Sequence, residues 1–194
     1  MINRDLFVTP SFIIDRVLLR RNLEVLDSVH KRTGAKILLA LKGFAMYSAF
    51  GLVREYLHGI CASSPHEAKL GRDDFGREVH SFAAAYSEKD FIELAELSDH
   101  IVINSMSQYE RFLPLLRKYS ESVEFGLRIN PEHRETAVEM YDPCAPFSRL
   151  GITRKNFPDT LPEHISGLHF HTLCQQNSDA LARTVMAAEA SFGE

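Results

Sequence analysis

One feature constrains this chain more than any other: short apolar runs alternate with stretches of helical spacing. The runs are 36-KILLALK-42, 59-GICAS-63, 79-VHSFA-83, 100-HIVIN-104, 123-VEFGLRIN-130 and 166-SGLHFH-171. Runs apolar on both faces, alternating with helices, predict a parallel sheet covered by helices. The stretches between them carry their own signals. Asp15 is a helix cap followed by an apolar stripe at Val17, Leu18, Leu23, Leu26 and Val29. Ser63-Ser64-Pro65 opens a second helix through Glu67 to Gly71. Phe91, Leu94, Ala95 and Leu97 mark a third, and Tyr109, Phe112, Leu113 and Leu116 a fourth. Asp179 to Phe192 forms the last.

Repeated βα units of this length suit a barrel or a doubly wound sheet. No GxGxxG follows a strand and no GxxxxGK[ST] occurs, so the nucleotide-binding fingerprints are missing and the barrel is favoured. A closed barrel of this type has eight strands. The expectation is therefore an incomplete (β/α)8 TIM-type barrel of about six parallel strands.

A net charge of -4 and a pI near 6.1 argue against a nucleic-acid partner, which needs a basic face. Cys61, Cys144 and Cys174 are an odd, widely spaced set with no CxxC, which suits a reducing cytosol better than a disulfide framework. The N-terminal stretch carries Asp5 and Asp15 without a long apolar core, unlike a signal peptide. No apolar run near the start approaches the ~20 residues that span a bilayer. The expectation is a cytoplasmic protein with no membrane partner.

In a parallel barrel, reactive groups sit at the C-terminal ends of strands. Here those ends carry Lys42, then Ser63-Ser64 with Glu67, then Asn104-Ser105, Arg128 with Asn130, and His171 with Cys174 three residues on. Lys42 reads either as a lysine snorkelling from a strand end or as an amine tuned by a desolvated site for Schiff-base chemistry. Arg128 reads as a structural ion pair or as an anchor for an anionic oxygen. His169 and His171 share a strand face. They could ligate a metal with Cys174, sit as satisfied core histidines, or pack flat on a heteroaromatic ring.

The stretches 37-ILLALKGF-44, 62-ASSPHEAKLG-71, 100-HIVINSMSQYERF-112, 126-GLRINPE-132, 141-YDPCAPFSRLGI-152 and 167-GLHFHTLCQQ-176 together resemble the fold-type III pyridoxal-phosphate enzymes, the alanine racemase and ornithine decarboxylase group. The last two point to the carboxynorspermidine (carboxyspermidine) decarboxylase branch. The resemblance implies pyridoxal 5'-phosphate as cofactor, held by Lys42 as Schiff-base lysine, with His171 stacked on its ring and Arg128 near its phenolic oxygen. Cys174 stands where many relatives place a serine near the cofactor phosphate, and Asp142 is a candidate to meet a cationic substrate. Residues 16–194 would form a partial cofactor-binding barrel, and residues 1–15 would pair into a C-terminal β-domain absent from this sequence. A strand-seven glycine loop, a strand-eight glutamate and a dimer partner's cysteine and aspartate are also absent. The implied activity is decarboxylation of a carboxylated polyamine in spermidine biosynthesis, by a homodimer when full length, with this chain alone nearly inactive. A non-catalytic cofactor-binding barrel and a metal-dependent hydrolase using His169, His171 and Cys174 are the competing readings.

Overall fold

A computed structural model describes residues 8–136 and 138–193. Its centre is one six-stranded sheet in the order β1 (Leu38–Ala40), β2 (Gly59–Ala62), β3 (Glu78–Phe82), β4 (His100–Ile103), β5 (Glu124–Arg128) and β6 (Ile165–His169). Every neighbouring pair is parallel and sequential, as in an open run of barrel strands. The helices are α1 (Arg16–Thr33), α2 (Phe50–Val53), α3 (Pro65–Leu70), α4 (Glu88–Leu97), α5 (Met106–Tyr119) and α6 (Ser178–Phe192). All six expected strands are present, with ends shifted by up to two residues. Lys42 and His171 consequently lie just beyond their strands, in the loops at the mouth.

The strands are not apolar on both faces. Ile60, Val79, Ile101, Phe125 and Leu127 face the helices and are fully buried, whereas the alternate positions Cys61, His80, Val102 and Gly126 face the other way. The core thus lies between the sheet and its helices. Phe91 and Phe112 stack there at 4.5 Å with Tyr86 edge-on to both. Burying each such ring contributes about 2–3 kcal/mol.

Helix starts follow the expected chemistry. Asp15 accepts from the N–H groups of Val17 (2.8 Å) and Leu18 (3.1 Å), capping α1. Ser64 caps α3, Ser87 caps α4 and Ser105 caps α5. The apolar stripe of α1 is covered less than its spacing predicts. Leu23 is buried, but Val17, Leu18 and Leu26 remain exposed. The cause is topological: β1 is an edge, and no described strand flanks it on the far side. Residues 8–15 form no strand, and Phe12 is 95% exposed, so the expected pairing of this segment has no partner among the described residues; positions 1–7 lie outside them.

Candidate active site at the strand tips

The strand tips are set by local hydrogen bonds. After β1, the N–H groups of Gly43 and Phe44 both donate to the Ala40 carbonyl, at 3.0 and 3.1 Å, and Lys42 projects from this turn. After β2, the Ser63 N–H donates to Glu67 Oε2 at 2.6 Å, from the first turn of the next helix. The same device recurs after β4, where the Asn104 N–H donates to Gln108 Oε1 at 2.9 Å. The starts of α3 and α5 therefore hold the tips of β2 and β4.

Two connected hollows open at these tips. An outer one of about 440 Å³ is bounded by Lys42, Ser63, Phe82, Arg128, Pro143 and His171, among others. An inner one of about 290 Å³ lies against the sheet and shares Lys42, Ser63, Phe82 and His171, adding Cys61, His80 and His169. A wider surface depression of about 510 Å³, between Arg54, Glu55, Gly76 and Arg77, lies away from the tips and contains no nucleophile.

Arg128 is 3% exposed and pairs with no carboxylate among the described residues. Its Nη2 donates to the His171 carbonyl at 3.0 Å, and its guanidinium lies 4.9 Å from the Phe82 ring centre. Burial lowers its pKa. His169 stacks on the other neighbour, Phe82, at 5.2 Å. Burial, with Arg128 next in effect, pushes His169 down to about 4. His171 is also lowered, by burial first and by Lys42 second. Both shifts favour the uncharged imidazole over the imidazolium.

Lys42, Arg128 and His171 line one hollow. Lys42 itself is exposed beside the β1 edge, so among the described residues it matches the snorkelling strand-end lysine and lacks the desolvated setting of the alternative. Cys174 is exposed and lines neither hollow, because the chain turns at Gln175 (φ 56°) toward α6. The His169 and His171 rings stand 6.3 Å apart and nearly perpendicular, and no metal-binding cluster forms there with Cys174 among the described residues.

Asp142 does not face the hollows. Its buried carboxylate pairs with Arg134 and accepts the Cys144 N–H at 2.8 Å, an internal brace for the segment after β5. That segment carries two wall residues, Pro143 and Leu150. Asn104 pins its far end, donating from Nδ2 to the Arg149 carbonyl (2.9 Å) and accepting the Gly151 N–H (3.1 Å). Gly151 has φ 86°, and a Cβ there would lie 2.7 Å from the Ile129 backbone. The 141-YDPCAPFSRLGI-152 stretch is therefore a braced wall. Phe82 is a wall residue that the sequence did not single out, although it stands next to last in the third apolar run; Asn104, noted as a strand-end residue, proves to be a pin.

The six sequential parallel strands thus place a lysine, a buried arginine and two histidines around their carboxy-terminal ends. The chain is 41% identical over 186 residues, 96% of its length, to carboxynorspermidine/carboxyspermidine decarboxylase of Campylobacter jejuni, and 37% identical over 186 residues to carboxyaminopropylagmatine decarboxylase of Synechocystis. The crystal structure of the Campylobacter jejuni carboxynorspermidine decarboxylase, complexed with norspermidine, superposes with a TM-score of 0.83 at 38% identity, covering 96% of this chain and 47% of that one. The resemblance carried by the motifs thus extends over nearly the whole chain. The chain spans about half the length of the curated relatives it matches. No family model matches it. No helix among the described residues is long and apolar enough to cross a membrane.

Proposed function

We propose that this chain carries the lysine-bearing part of the site of a pyridoxal-phosphate-dependent decarboxylase acting on carboxynorspermidine or carboxyspermidine. One observation carries the reading: Lys42, Arg128 and His171 line a single hollow in a chain 41% identical to a decarboxylase of that name. The residues also fit the cofactor. Arg128 Nε, His169 Nε2 and Thr172 Oγ1, at the ends of β5 and β6, are buried without partners among the described residues. Unpaired buried polar atoms cost stability and favour a polar ligand that satisfies them.

In this reading Lys42 Nζ supplies the amine that holds the cofactor's aldehyde carbon. His171 would offer a flat face to the ring, and Arg128, which holds the His171 main-chain carbonyl, would present its Nε to an anionic oxygen. When bound, pyridoxal phosphate supplies an electron-withdrawing ring that accepts the electron pair left by a departing α-carboxylate. Pro143 and Leu150 narrow access of water from above. With the β1 flank open, the 194-residue chain alone is expected to hold the cofactor weakly and to turn over substrate poorly; the intact enzyme would be a cytoplasmic homodimer.

Incubation with pyridoxal phosphate followed by borohydride reduction tests this. A phosphopyridoxyl mass on Lys42, lost in Lys42→Arg, is expected. Labelling spread over surface lysines with Lys42 spared would overturn it. Release of carbon dioxide from carboxynorspermidine, carboxyspermidine and carboxyaminopropylagmatine, measured on the full-length enzyme, ranks the substrates. Labelling of Lys42 without release from any of them favours a non-catalytic cofactor-binding barrel.

A further inference from the structure

A second cluster lies at the opposite end of the same sheet face. Glu78, His80 and Phe82 alternate to one side of β3, and the strand register places His80 directly beside His100 of β4. The two imidazoles stack with ring centres 4.0 Å apart and planes 20° from parallel. The Glu78 carboxylate divides its oxygens: Oε1 pairs with the Lys36 ammonium, and Oε2 lies 3.1 Å from His80 Nε2. Glu124 Oε2 lies 3.4 Å from His100 Nδ1. One ligand atom from each of Glu78, His80 and His100 lies within 4.8 Å of the other two, the only such trio among the described residues.

We propose that Glu78, His80 and His100 form a binding site for a divalent transition-metal ion of the zinc class, at the amino-terminal ends of β3 and β4. Two imidazoles and one carboxylate are the donor set of zinc and its neighbours; calcium and magnesium call for oxygen-only cages. Bond lengths near 2.0–2.2 Å require small side-chain rotations about a common centre, with no change in strand register. Lys36 and Glu124 occupy the outer positions, fixing the carboxylate and one ring as ligand-orienting partners do. Water fills the remaining coordination position. The ion would tie β3 to β4 at the floor of the open barrel. The proposal does not rest on the Lys42 reading, although His80 also lines the floor of the inner hollow that Lys42 borders.

The test uses the full 194-residue chain, stripped with chelator and titrated with zinc by calorimetry and with cobalt(II) by visible absorption. One equivalent is expected to bind at micromolar concentration, with cobalt bands of a low-coordinate nitrogen–oxygen site and a raised melting temperature. His80→Ala, His100→Ala and Glu78→Gln should each weaken binding at least about tenfold. The doubly substituted His169→Ala, His171→Ala chain should bind as the parent does. If a variant fails to fold, imidazole nitrogen shifts in the parent chain on adding zinc identify the ligands directly. Absence of saturable binding, or binding lost with His169 and His171 and kept without His80 and His100, overturns the proposal.

Discussion

Arg128 Nη2 donates to the main-chain carbonyl of His171 at 3.0 Å, so the tip of β5 positions a residue that lies beyond the end of β6. The bond is also where a buried charge is spent on placement instead of pairing. Arg128→Met removes a guanidinium with no carboxylate partner among the described residues, so folding free energy should move by no more than about 1–2 kcal/mol in either direction. Uptake of pyridoxal phosphate should nonetheless fall at least tenfold, because His171 loses its tether. Urea unfolding and a cofactor titration on the same sample separate the two effects.

Asn104 bridges two chain segments, donating to the Arg149 carbonyl and accepting from Gly151 N–H. Asn104→Ala leaves both groups unpaired and should cost about 2–3 kcal/mol. Asn104→Asp retains the acceptor for Gly151 and should cost less. Chemical denaturation ranks the pair, and equal losses would show that the pin is not what holds this wall.

Gly151→Ala should destabilise by about 3 kcal/mol, since it adds a Cβ against the Ile129 backbone at a left-handed φ. Thermal unfolding reads the loss. A drop smaller than that of Asn104→Ala would mean that the segment can move away from β5 at little cost.

His169 predicts an acid-sensitive window. Its folded pKa, about 4, lies below the ordinary value of 6.5. Between these values the unfolded chain binds the proton and the folded chain does not, so stability rises with pH there and is lost on acidification. The full effect is about 3 kcal/mol. Glu135, held at about 2 by Arg183 and His133, acts only at lower pH, where its ion pairs fail as the carboxylate protonates. Urea midpoints at pH 7.5 and 4.5 should converge in His169→Phe relative to the parent.

Much of this site was legible because the strand-end rule needs only hydrophobic runs and their last residues. It names Lys42, Arg128 and His171 among the strand-end residues, and the resemblance of the longer motifs is what assigns them roles. Asp142 illustrates the limit: an acidic residue within a motif looks like a ligand, but a bond to the N–H two residues ahead and a pair with Arg134 turn it inward. Spacing does not encode such a choice. Nor does it reveal that Asn104 reaches residues 45 and 47 positions away. The α1 stripe was correct as a helix signal and incomplete as a burial signal, since coverage depends on what flanks β1.

The paired tethers at Ser63–Glu67 and Asn104–Gln108 bear on how such a barrel could be assembled from parts. Each tip is indexed by its own βα unit, within four residues, before any ring is closed. Geometry of this kind would survive a cut between βα units: if such a barrel were expressed as two polypeptides, complementation would depend on edge docking alone, because each tethered tip is set within its own unit.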